Sequence, residues 1–424
     1  MLDINKIRDS KEEVEKALLK RIKPADFNLD KILNLDDARK KLTKERDDKR
    51  MMLNIISKEK PTETNIQTNR ELSHEIKKNI EPKLDEIEKE LNELISALPN
   101  LPTDDVVAGG KENNEIIKIF GSPYLYSGET DKKPEFKFEP KDHIKLSASL
   151  KLIDYERTAK MSGSGFWTYT GEGAILEWAL LNYFIEFHRK NKYTFLIPPY
   201  LLNEASAYAS GHLPKFKEDL FWIEKDGLCL NATSEMMLLN YHRDEIFNEK
   251  ELPKKYFGYS ACFRREAGSY RAEEKGMIRG HQFNKIEMFV YAKPQDSWKM
   301  FEEMVKNAQK LIEGLNLDFQ TVKLAAGDAS DAMAKTYDIE VWIPSMGIYK
   351  EVSSISNGLD YQARRGNIRY KNENGKNEFV HTLNASGLAT SRLLPAILEQ
   401  NQQKDGSIIV PKVLRKFVGK KVLK

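Results

Sequence analysis

The apolar positions near the amino terminus follow a helical period. Between residues 84 and 98 they are spaced so that all of them fall on one face of a helix. They are Leu84, Ile87, Leu91, Leu94 and Leu98. An earlier stripe of the same kind consists of Ile32, Leu35, Ala38 and Leu42. Because the helix breaker Pro61 lies between the stripes, the pattern predicts two helices of roughly 28 to 35 residues in an antiparallel hairpin, about 40 to 50 Å long.

The predicted hairpin ends at a segment rich in helix-breaking residues. Leu98 to Gly110 contains two prolines and two glycines, a composition typical of a linker. We therefore expect a helical arm over residues 1–104 and a larger domain over residues 105–424. A chain of 424 residues is longer than one ordinary core covers, which agrees with this division.

The pattern changes after about residue 115, where aromatic and β-branched residues become frequent. A helix is predicted from Ala174 to His188. Strands are predicted at Tyr193–Ile197, Ile286–Tyr291, Ile339–Ile343 and Glu378–Leu383. Strands that cluster without regular βαβ alternation predict an α+β fold, in which helices flank an antiparallel sheet.

Charge changes this picture only locally. The 68 basic and 65 acidic residues leave a net charge of +3, so any contact with nucleic acid has to come from local clusters. Between Asp36 and Arg50, seven basic residues face five acidic ones. This helix can contact phosphates, but a dimerisation coiled coil with solvated charges remains an alternative. Residues 412–424 carry six basic residues and no acidic one, either as a solvated tail or as a second contact to nucleic acid.

Cysteine usage and hydropathy bear on the compartment. The two cysteines, Cys229 and Cys262, have no metal-ligand spacing and are interpreted as buried thiols in a reducing compartment. No signal-peptide core and no apolar run of membrane-spanning length occurs in the sequence. We expect a cytoplasmic protein with no membrane association.

Two segments place arginines where they can bind phosphate. The first predicts a strand, a charged loop and a returning strand, with Arg264, Phe283 and Glu287 on one face. The second predicts a strand end that turns through Gly387 into a helix with Arg392 near its start. Guanidinium groups bind phosphates and carboxylates in a two-pronged geometry, and an aromatic ring stacks on a base. By chemistry alone, a solvated surface hairpin and a capped helix with one exposed arginine remain alternatives.

Two further runs offer polar ligands. Thr233 and Glu235 combine a hydroxyl with a carboxylate that can bind a small ammonium-bearing ligand. Glu351 and Ser354 offer the oxygen ligands that Mg²⁺ takes when phosphates share the ion. Loose turns and strand edges often have this composition, so neither run is specific by itself.

In order and spacing, these segments resemble the three motifs of class II aminoacyl-tRNA synthetases in their seryl-specific form. The resemblance to motif 2 lies in Phe263-Arg264-Arg-Glu266-Ala-Gly268-Ser with His281-Gln-Phe283-Asn-Lys-Ile-Glu287. The resemblance to motif 3 lies in Leu383-Asn384-Ala-Ser386-Gly387-Leu-Ala-Thr-Ser-Arg392. Pro198-Pro199 before Leu201 falls where motif 1 belongs. Runs that look seryl-specific are Gly211–Phe216, Thr233–Glu235, Tyr337–Trp342, Glu351–Asn357 and Gln362–Arg365. The resemblance spans essentially the whole chain, since that family also carries an amino-terminal helical hairpin.

The resemblance implies an enzyme that activates L-serine with ATP and Mg²⁺ and transfers it to tRNA(Ser), and to tRNA(Sec) where that tRNA is present. It implies a homodimer whose helical arm reads the tRNA by shape and backbone. The catalytic residues are then Arg264, Glu351 and Arg392. The implied serine-binding residues are Thr233, Ser234, Glu235, Glu287, Asn384 and Ser386.

The same resemblance assigns the nucleotide and tRNA contacts. Arg264 is expected to hold the α-phosphate and the serine carboxylate, Arg392 the γ-phosphate, and Phe283 the adenine. The implied ATP-binding residues are Arg264, Arg265, Glu266, Phe283, Glu351, Val352, Ser353, Ser354 and Arg392. The implied metal ligands are Glu351 and Ser354. The implied tRNA-binding residues are Arg39, Lys40, Lys41, Lys44 and Arg46.

The sequence departs from the family pattern in three places, and two rival functions stay open. The motif 2 loop reads Arg271-Ala-Glu-Glu-Lys275, motif 3 has small hydroxylated residues where glycine is common, and Gly165-Phe-Trp167 replaces a more usual Arg-Phe pair. One rival is a ligase that loads an amino acid onto a carrier protein, which the full arm argues against. The other is a catalytically silent RNA-binding relative, which the intact Arg264, Glu287 and Arg392 argue against.

Overall fold

The computed structural model describes residues 1–121, 138–266 and 276–424. It consists of two compact units, Met1–Leu101 and Pro102–Lys424, and the division falls within the segment rich in proline and glycine. Within these described ranges, no helix has the length and apolar character that crossing a membrane requires.

The first unit is helical. Its helices are α1 (Ile4–Asp9), α2 (Lys11–Leu18), α3 (Leu29–Ile56), α4 (Glu63–Glu75) and α5 (Glu81–Ala97), and a π-helical turn, Ile76–Ile80, joins the last two. Ion pairs from Lys31 to Glu90 and from Arg50 to Glu81 connect α3 to α5 in opposite chain directions. The predicted long antiparallel hairpin is therefore confirmed.

The apolar stripes explain why this hairpin forms. Ile32 on α3 and Leu84 and Leu91 on α5 are buried, and burial of such a side chain stabilises the fold by about 1.5 to 3 kcal/mol. The turn between the arms lies in the predicted breaker segment, and α4 begins after Thr62, whose hydroxyl accepts a hydrogen bond from the Asn65 amide at 3.1 Å.

The second unit combines helices with several sheets. Its helices are α6 (His143–Ser149), α7 (Glu156–Ser162), α8 (Glu172–Lys190), α9 (Glu204–Ala209), α10 (Ser234–Asn240), α11 (Ser297–Leu315), α12 (Tyr361–Arg365), α13 (Thr390–Gln400) and α14 (Arg415–Val418). Its strands are β1 (Glu115–Phe120), β2 (Ile153–Asp154), β3 (Thr168–Tyr169), β4 (Thr194–Leu196), β5 (Leu201–Asn203), β6 (Trp222–Ile223), β7 (Leu228–Leu230), β8 (Ile246–Asn248), β9 (Lys254–Phe263), β10 (Gln282–Ala292), β11 (Phe319–Lys323), β12 (Lys335–Ile343), β13 (Ile348–Asn357), β14 (Arg369–Lys371), β15 (Asn377–Phe379), β16 (His381–Ala389), β17 (Ile408–Ile409) and β18 (Val422–Leu423).

Within the described part of the chain, the main sheet has eight strands in the order β1-β11-β12-β13-β16-β10-β9-β4. Every neighbouring pair is antiparallel except β4 and β9. The predicted α+β class with an antiparallel sheet is confirmed. The sequence-based boundaries differ in places: the strand predicted at Glu378–Leu383 is divided between β15 and β16, and β16 continues through Gly387 to Ala389 instead of turning there.

One face of the main sheet carries the core. On β10, Ile286, Met288 and Val290 are fully buried in a cluster that includes apolar residues of α8, α11 and α13. Side chains alternate between the two faces of a strand, so the residues between them, such as Glu287, point to the other face. That second face holds the polar residues described below.

The basic carboxy-terminal segment is folded, so it is not the solvated tail considered above. It contains α14 and β18, and β18 pairs with β17. Val418 and Leu423 are buried, and Lys420 forms an ion pair with Glu172 of α8. The two cysteines are buried and free, as expected.

Candidate active site

A cavity of about 490 Å³ lies on the polar face of the main sheet; we call it the main cavity. A smaller cavity of about 80 Å³, the side cavity, shares Arg264, Lys285 and Glu351 with it. Because they share these walls, the two cavities are adjacent and are described together as one site.

Strand alternation selects the residues that line this site. On β10, Phe283, Lys285 and Glu287 are two positions apart and all line the cavities. On β16, Asn384 and Ser386 do the same. The residues between them point to the core, as expected for regular strands.

A β-bulge places Glu351 and Ser354 together. Residues three apart on a regular strand face opposite sides, yet both line the main cavity. On β12, Ile339 pairs with Ser353 and the next residue, Glu340, pairs with Glu351, so Val352 is an extra residue in β13. The bulge reverses the alternation at this point and brings both side chains to the same face.

Glu235 lies at the start of α10 and faces the main cavity. Its Oε1 accepts a hydrogen bond from Gln362 Nε2 at 2.7 Å. Burial raises the pKa of Glu235 to about 7, and the nearby Glu287 carboxylate adds to this shift. Contrary to the loose turn considered from sequence, Thr233 is the N-cap of α10, and its hydroxyl accepts from the Glu235 amide at 3.2 Å.

Glu287 is paired with a buried lysine. Lys285 Nζ lies 2.5 Å from Glu287 Oε2 and donates to Thr233 Oγ1 at 2.6 Å. Lys285 and Glu287 are 6% and 2% exposed, so this ion pair is largely shielded from water. Among the residues that the structure describes, Glu287 Oε2 accepts no hydrogen bond of regular geometry.

Three arginines surround the side cavity: Arg264, Arg279 and Arg392. The Arg264 guanidinium lies 5.3 Å from the centre of the Phe283 ring. Arg392 Nη1 donates to the Glu351 carbonyl at 3.0 Å and lies 3.3 Å from Glu351 Oε2. Positive charge is therefore concentrated where a polyphosphate could bind.

Three residues predicted for the site lie outside its walls among the described residues. Ser353 is buried on the other face of β13, where its hydroxyl donates to the Ser386 carbonyl at 2.5 Å. Ser234 Oγ lies 2.6 Å from Ser260 Oγ. Arg265 alternates with Arg264 and instead donates to the Leu220 carbonyl at 3.1 Å. The sequence runs were continuous, whereas the folded chain exposes only part of each run to the cavity.

Arg279, Lys285 and His212 also line the site, although no role was predicted for any of them from the sequence. Lys285 lies two residues after Phe283 on β10, and this spacing could have indicated it, whereas Arg279 precedes β10 and no strand pattern indicates it. His212 lines the main cavity, and burial, with Arg264 and Lys285 nearby, lowers the pKa of His212 to about 3. Its imidazole is therefore neutral at physiological pH.

The surroundings of Glu351 fit a cation that phosphates share. Glu351 is 43% exposed at the cavity wall. Burial, with the Glu351 charge nearby, raises the pKa of Asp338 well above its usual range, and Asp338 Oδ1 accepts no hydrogen bond from the described residues. A hard divalent cation would relieve this concentration of carboxylate oxygen. Within the described ranges, no cluster of three or more acidic, histidine or cysteine side chains forms a metal cage.

The residues predicted to contact tRNA all lie on α3 of the first unit. Lys41 and Lys44 are exposed. Arg39 and Lys40 form ion pairs with Asp36, at 2.7 and 2.8 Å, and Lys40 is also exposed. The Arg271–Lys275 loop, by contrast, lies outside the described residues.

An antiparallel sheet with arginines and carboxylates converging on one of its faces is the arrangement of a class II aminoacyl-tRNA synthetase. The sequence model of the tRNA synthetase class II core domain (G, H, P, S and T) matches residues 220–401, and that of the seryl-tRNA synthetase N-terminal domain matches residues 1–102. The chain belongs to the seryl-tRNA synthetase family.

Relatives support this assignment over the full length of the chain. Serine--tRNA ligase 2 of Clostridium acetobutylicum is 53% identical, with 99% of each chain covered. Serine--tRNA ligase of Thermodesulfovibrio yellowstonii is 42% identical, with 100% of each covered. The structure of seryl-tRNA synthetase from Pyrococcus horikoshii complexed with ATP superposes with a TM-score of 0.91 at 35% identity, covering 100% of this chain and 99% of that one.

Proposed function

We propose that this chain activates L-serine with ATP to seryl-adenylate and then transfers the seryl group to tRNA. The observation that carries the proposal is that Glu235 and Glu287 line the main cavity, Arg392 lines the adjacent side cavity, and Arg264 lines both. Positive groups for phosphate and negative groups for an amino acid are thereby placed side by side.

In the first step, a carboxylate oxygen of serine attacks the α-phosphorus of ATP, and pyrophosphate leaves. Arg264 holds both the serine carboxylate and the α-phosphate, so the reacting groups are oriented and their charge is balanced. Arg392 and Arg279 bind the leaving phosphates, and Phe283 stacks on the adenine. No covalent intermediate with the protein is required.

Glu351 and Ser354 are the residues that would hold Mg²⁺ in this proposal. The support is the side chain of Glu351, which is 43% exposed, and the buried Asp338 Oδ1, which accepts no hydrogen bond from the described residues. When bound, the ion neutralises charge on the phosphates.

The serine pocket is formed by Glu235 and Glu287 with Thr233, Asn384 and Ser386. Glu235 binds the ammonium, and Glu287 accepts a hydrogen bond from the hydroxyl. Alanine lacks that hydroxyl and would leave Glu287 without its hydrogen bond. Such a loss can lower kcat/KM for the wrong amino acid by a factor of about 10⁴ to 10⁵ relative to serine.

In the second step, a ribose hydroxyl at the 3′ end of the tRNA attacks the seryl carbonyl and AMP leaves. The helical arm binds the tRNA through basic side chains on α3, of which Lys41 and Lys44 are exposed. The same reasoning allows tRNA(Sec) as a second substrate where a cell contains one. We place the reaction in the cytoplasm, where tRNA, serine and ATP are available together.

The active form is a homodimer in this proposal. The support is apolar surface on the second unit: Ile175 and Trp178 on α8 are 46% and 54% exposed, and Ile197 after β4 is 70% exposed. Light scattering on the purified chain is expected to give twice the monomer mass. Trp178→Glu is expected to shift the mass toward the monomer, and a monomeric unsubstituted chain would contradict the dimer.

Exchange of labelled pyrophosphate into ATP tests the activation step. We expect exchange with serine, and a fall in kcat/KM for serine of at least about 100-fold in Glu287→Ala, with KM for ATP changed by less than about 3-fold. Lack of serine-dependent exchange would refute the function. Charging of tRNA with labelled serine then distinguishes this chain from a ligase that loads a carrier protein.

A further inference from the structure

Lys285 has no role in the activation chemistry described above, yet it is the most shielded cation of the site. It is 6% exposed, and its ammonium contacts both Glu287 and Thr233. Burying an ammonium is unfavourable unless it is paired. Its position therefore requires a physical reason.

A count of charges around the bound amino acid supplies that reason. Serine brings an ammonium, a carboxylate and a neutral hydroxyl. In the proposed function, Arg264 binds the carboxylate and Glu235 binds the ammonium, so Glu287 faces a neutral group. Without a further cation, a buried carboxylate would lie unpaired next to Glu235, whose own pKa is already raised to about 7 by burial and by Glu287.

We propose that Lys285 makes this site select a hydroxymethyl over an aminomethyl side chain by neutralising Glu287. The proposal rests on the proposed function. A neutralised carboxylate still accepts a hydrogen bond from a hydroxyl through its free lone pairs. It no longer offers a net negative charge to a substrate ammonium, so 2,3-diaminopropionate, in which an amino group replaces the serine hydroxyl, is rejected.

The geometry explains how Lys285 keeps this orientation. Lys285 and Glu287 are two residues apart on β10, so both side chains project from the same face of the sheet. Thr233 Oγ1 accepts from Lys285 at 2.6 Å and from the Glu235 amide at 3.2 Å. A hydroxyl oxygen has two acceptor sites, so this hydroxyl holds the ammonium in place and can only donate to a ligand. Lys285 is thus a positioning residue that acts through Glu287.

The test compares pyrophosphate exchange with serine and with 2,3-diaminopropionate. In Lys285→Met we expect kcat/KM for serine to fall at least about 10-fold. The ratio of kcat/KM for diaminopropionate to kcat/KM for serine should rise at least about 10-fold, because no cation then balances the negative charge of Glu287. Adding Glu287→Gln to this variant removes the charge and is expected to return the ratio toward the unsubstituted value. Lys285→Arg, which keeps the charge, is expected to keep the ratio.

Lys255→Met is the matched control. Lys255 also forms an ion pair, with Glu303 at 2.8 Å, but it does not line either cavity, and the ratio should not change. Should Lys285→Met fail to unfold cooperatively, Lys285→Gln, which keeps a donor toward Thr233, carries the same comparison.

The outcomes separate this inference from the function on which it rests. If the unsubstituted chain shows no serine-dependent exchange, the proposed function fails. If it is active with serine but kcat/KM of Lys285→Met falls by the same factor with both substrates, Lys285 only supports the structure and the inference is overturned. A rise in the ratio that the added Glu287→Gln reverses supports it.

Discussion

The ionisation of Glu235 controls amino-acid binding in the proposed mechanism. The part of the main cavity that is proposed to bind the amino acid includes the carboxyl groups of Glu235 and Glu287, and its response to pH near neutrality follows from the pKa of Glu235. For Glu235 that pKa is about 7, raised first by burial and then by Glu287. Only the ionised form attracts the serine ammonium.

We expect kcat/KM for serine to rise as the pH increases through about 7, because this parameter reports ionisation of the free enzyme. Below that pH, protonated Glu235 loses its attraction for the ammonium. In Glu235→Gln the rise should disappear and the value should be low throughout. A profile in the unsubstituted chain that stays flat from pH 6 to 8, on the order of one unit either side of this pKa, would argue against Glu235 as the ammonium ligand.

At the same scale, much of the site was predictable from the sequence, and the remainder depended on the direction of individual side chains. The motif runs indicated Arg264, Glu287 and Arg392, which line one site. They could not show that Ser353 faces the core, because the bulge at Val352 that determines this exists only once β12 and β13 are paired. The motif sequence by itself does not specify how β12 and β13 pair.

At the scale of elements, α8 carries a buried carboxyl group that is hydrogen-bonded to strand β10 and helix α13. Glu177 is 2% exposed. Its Oε1 accepts from Asn284 Nδ2 of β10 at 2.8 Å and from Thr390 Oγ1 of α13 at 2.6 Å. Burial raises the pKa of Glu177 to about 7.

The stability of the second unit should depend on the pH through Glu177. The folded pKa lies above the unfolded value of 4.5, so both states are protonated at low pH, and stability is lost as the pH rises from about 4.5 through about 7. Glu177→Gln should remove this loss and be more stable than the unsubstituted chain by about 1 to 3 kcal/mol at pH 8 relative to pH 5. Chemical denaturation at both pH values measures this difference.

Glu172→Gln serves as the control for this comparison, because Glu172 lies on the same helix with a side chain that is 38% exposed and paired only with the exposed Lys420 among the described residues. It should change the pH dependence by less than about 0.5 kcal/mol. If the free energy of unfolding depends on pH equally in Glu177→Gln and in the unsubstituted chain, ionisation of Glu177 does not contribute to that dependence.

The helical arm has its own buried ion cluster around Asp36. Arg8, Arg39 and Lys40 lie 2.8, 2.7 and 2.8 Å from its carboxylate oxygens. Burial opposes ionisation of Asp36, but hydrogen bonds from Lys40, Arg39 and Arg8 outweigh it and lower the pKa to about 2. The cluster ties α1 to α3 and uses two of the basic residues that were predicted to contact tRNA.

Replacement of Asp36 should destabilise the arm at neutral pH. Since the folded pKa is depressed, the stabilisation is present above the unfolded value of 3.8 and is lost as the pH falls toward about 2. We expect Asp36→Asn to lower the free energy of unfolding of the arm by about 1 to 3 kcal/mol at pH 7. Thermal unfolding monitored by the helical circular dichroism signal measures this change. Asp37→Asn, whose side chain is 60% exposed, is the matched control, and an equal effect of both substitutions would contradict the role of burial.

The elements themselves were well indicated by periodicity, whereas their connections were not. The stripe from Leu84 to Leu98 predicted α5 because helical packing needs only local spacing. The order of the eight strands depends on pairings between distant residues, such as β10 with both β9 and β16, and no local pattern encodes them. The carboxy-terminal segment was similarly ambiguous in sequence. Its two buried residues, Val418 and Leu423, lie among lysines, so no apolar period indicates that they are buried.

At the scale of the whole molecule, the proposal assigns activation to one unit and tRNA recognition to the other. Removal of residues 30–98 should reduce charging of tRNA by at least about 100-fold, since the backbone contacts of the arm are lost. Serine-dependent pyrophosphate exchange should stay within about 3-fold of the full chain. Retained charging by the truncated chain would refute the role of the arm, and loss of exchange would show that activation also needs it.

The central claim is that one cavity on the polar face of the sheet holds serine and the nucleotide together. A crystal structure of the full chain with a non-hydrolysable seryl-adenylate analogue tests it most directly. We predict that the analogue lies in the main and side cavities, with its ammonium at Glu235, its hydroxyl at Glu287 and its adenine on Phe283. An analogue bound elsewhere, or bound with its hydroxyl facing away from Glu287, would contradict the account.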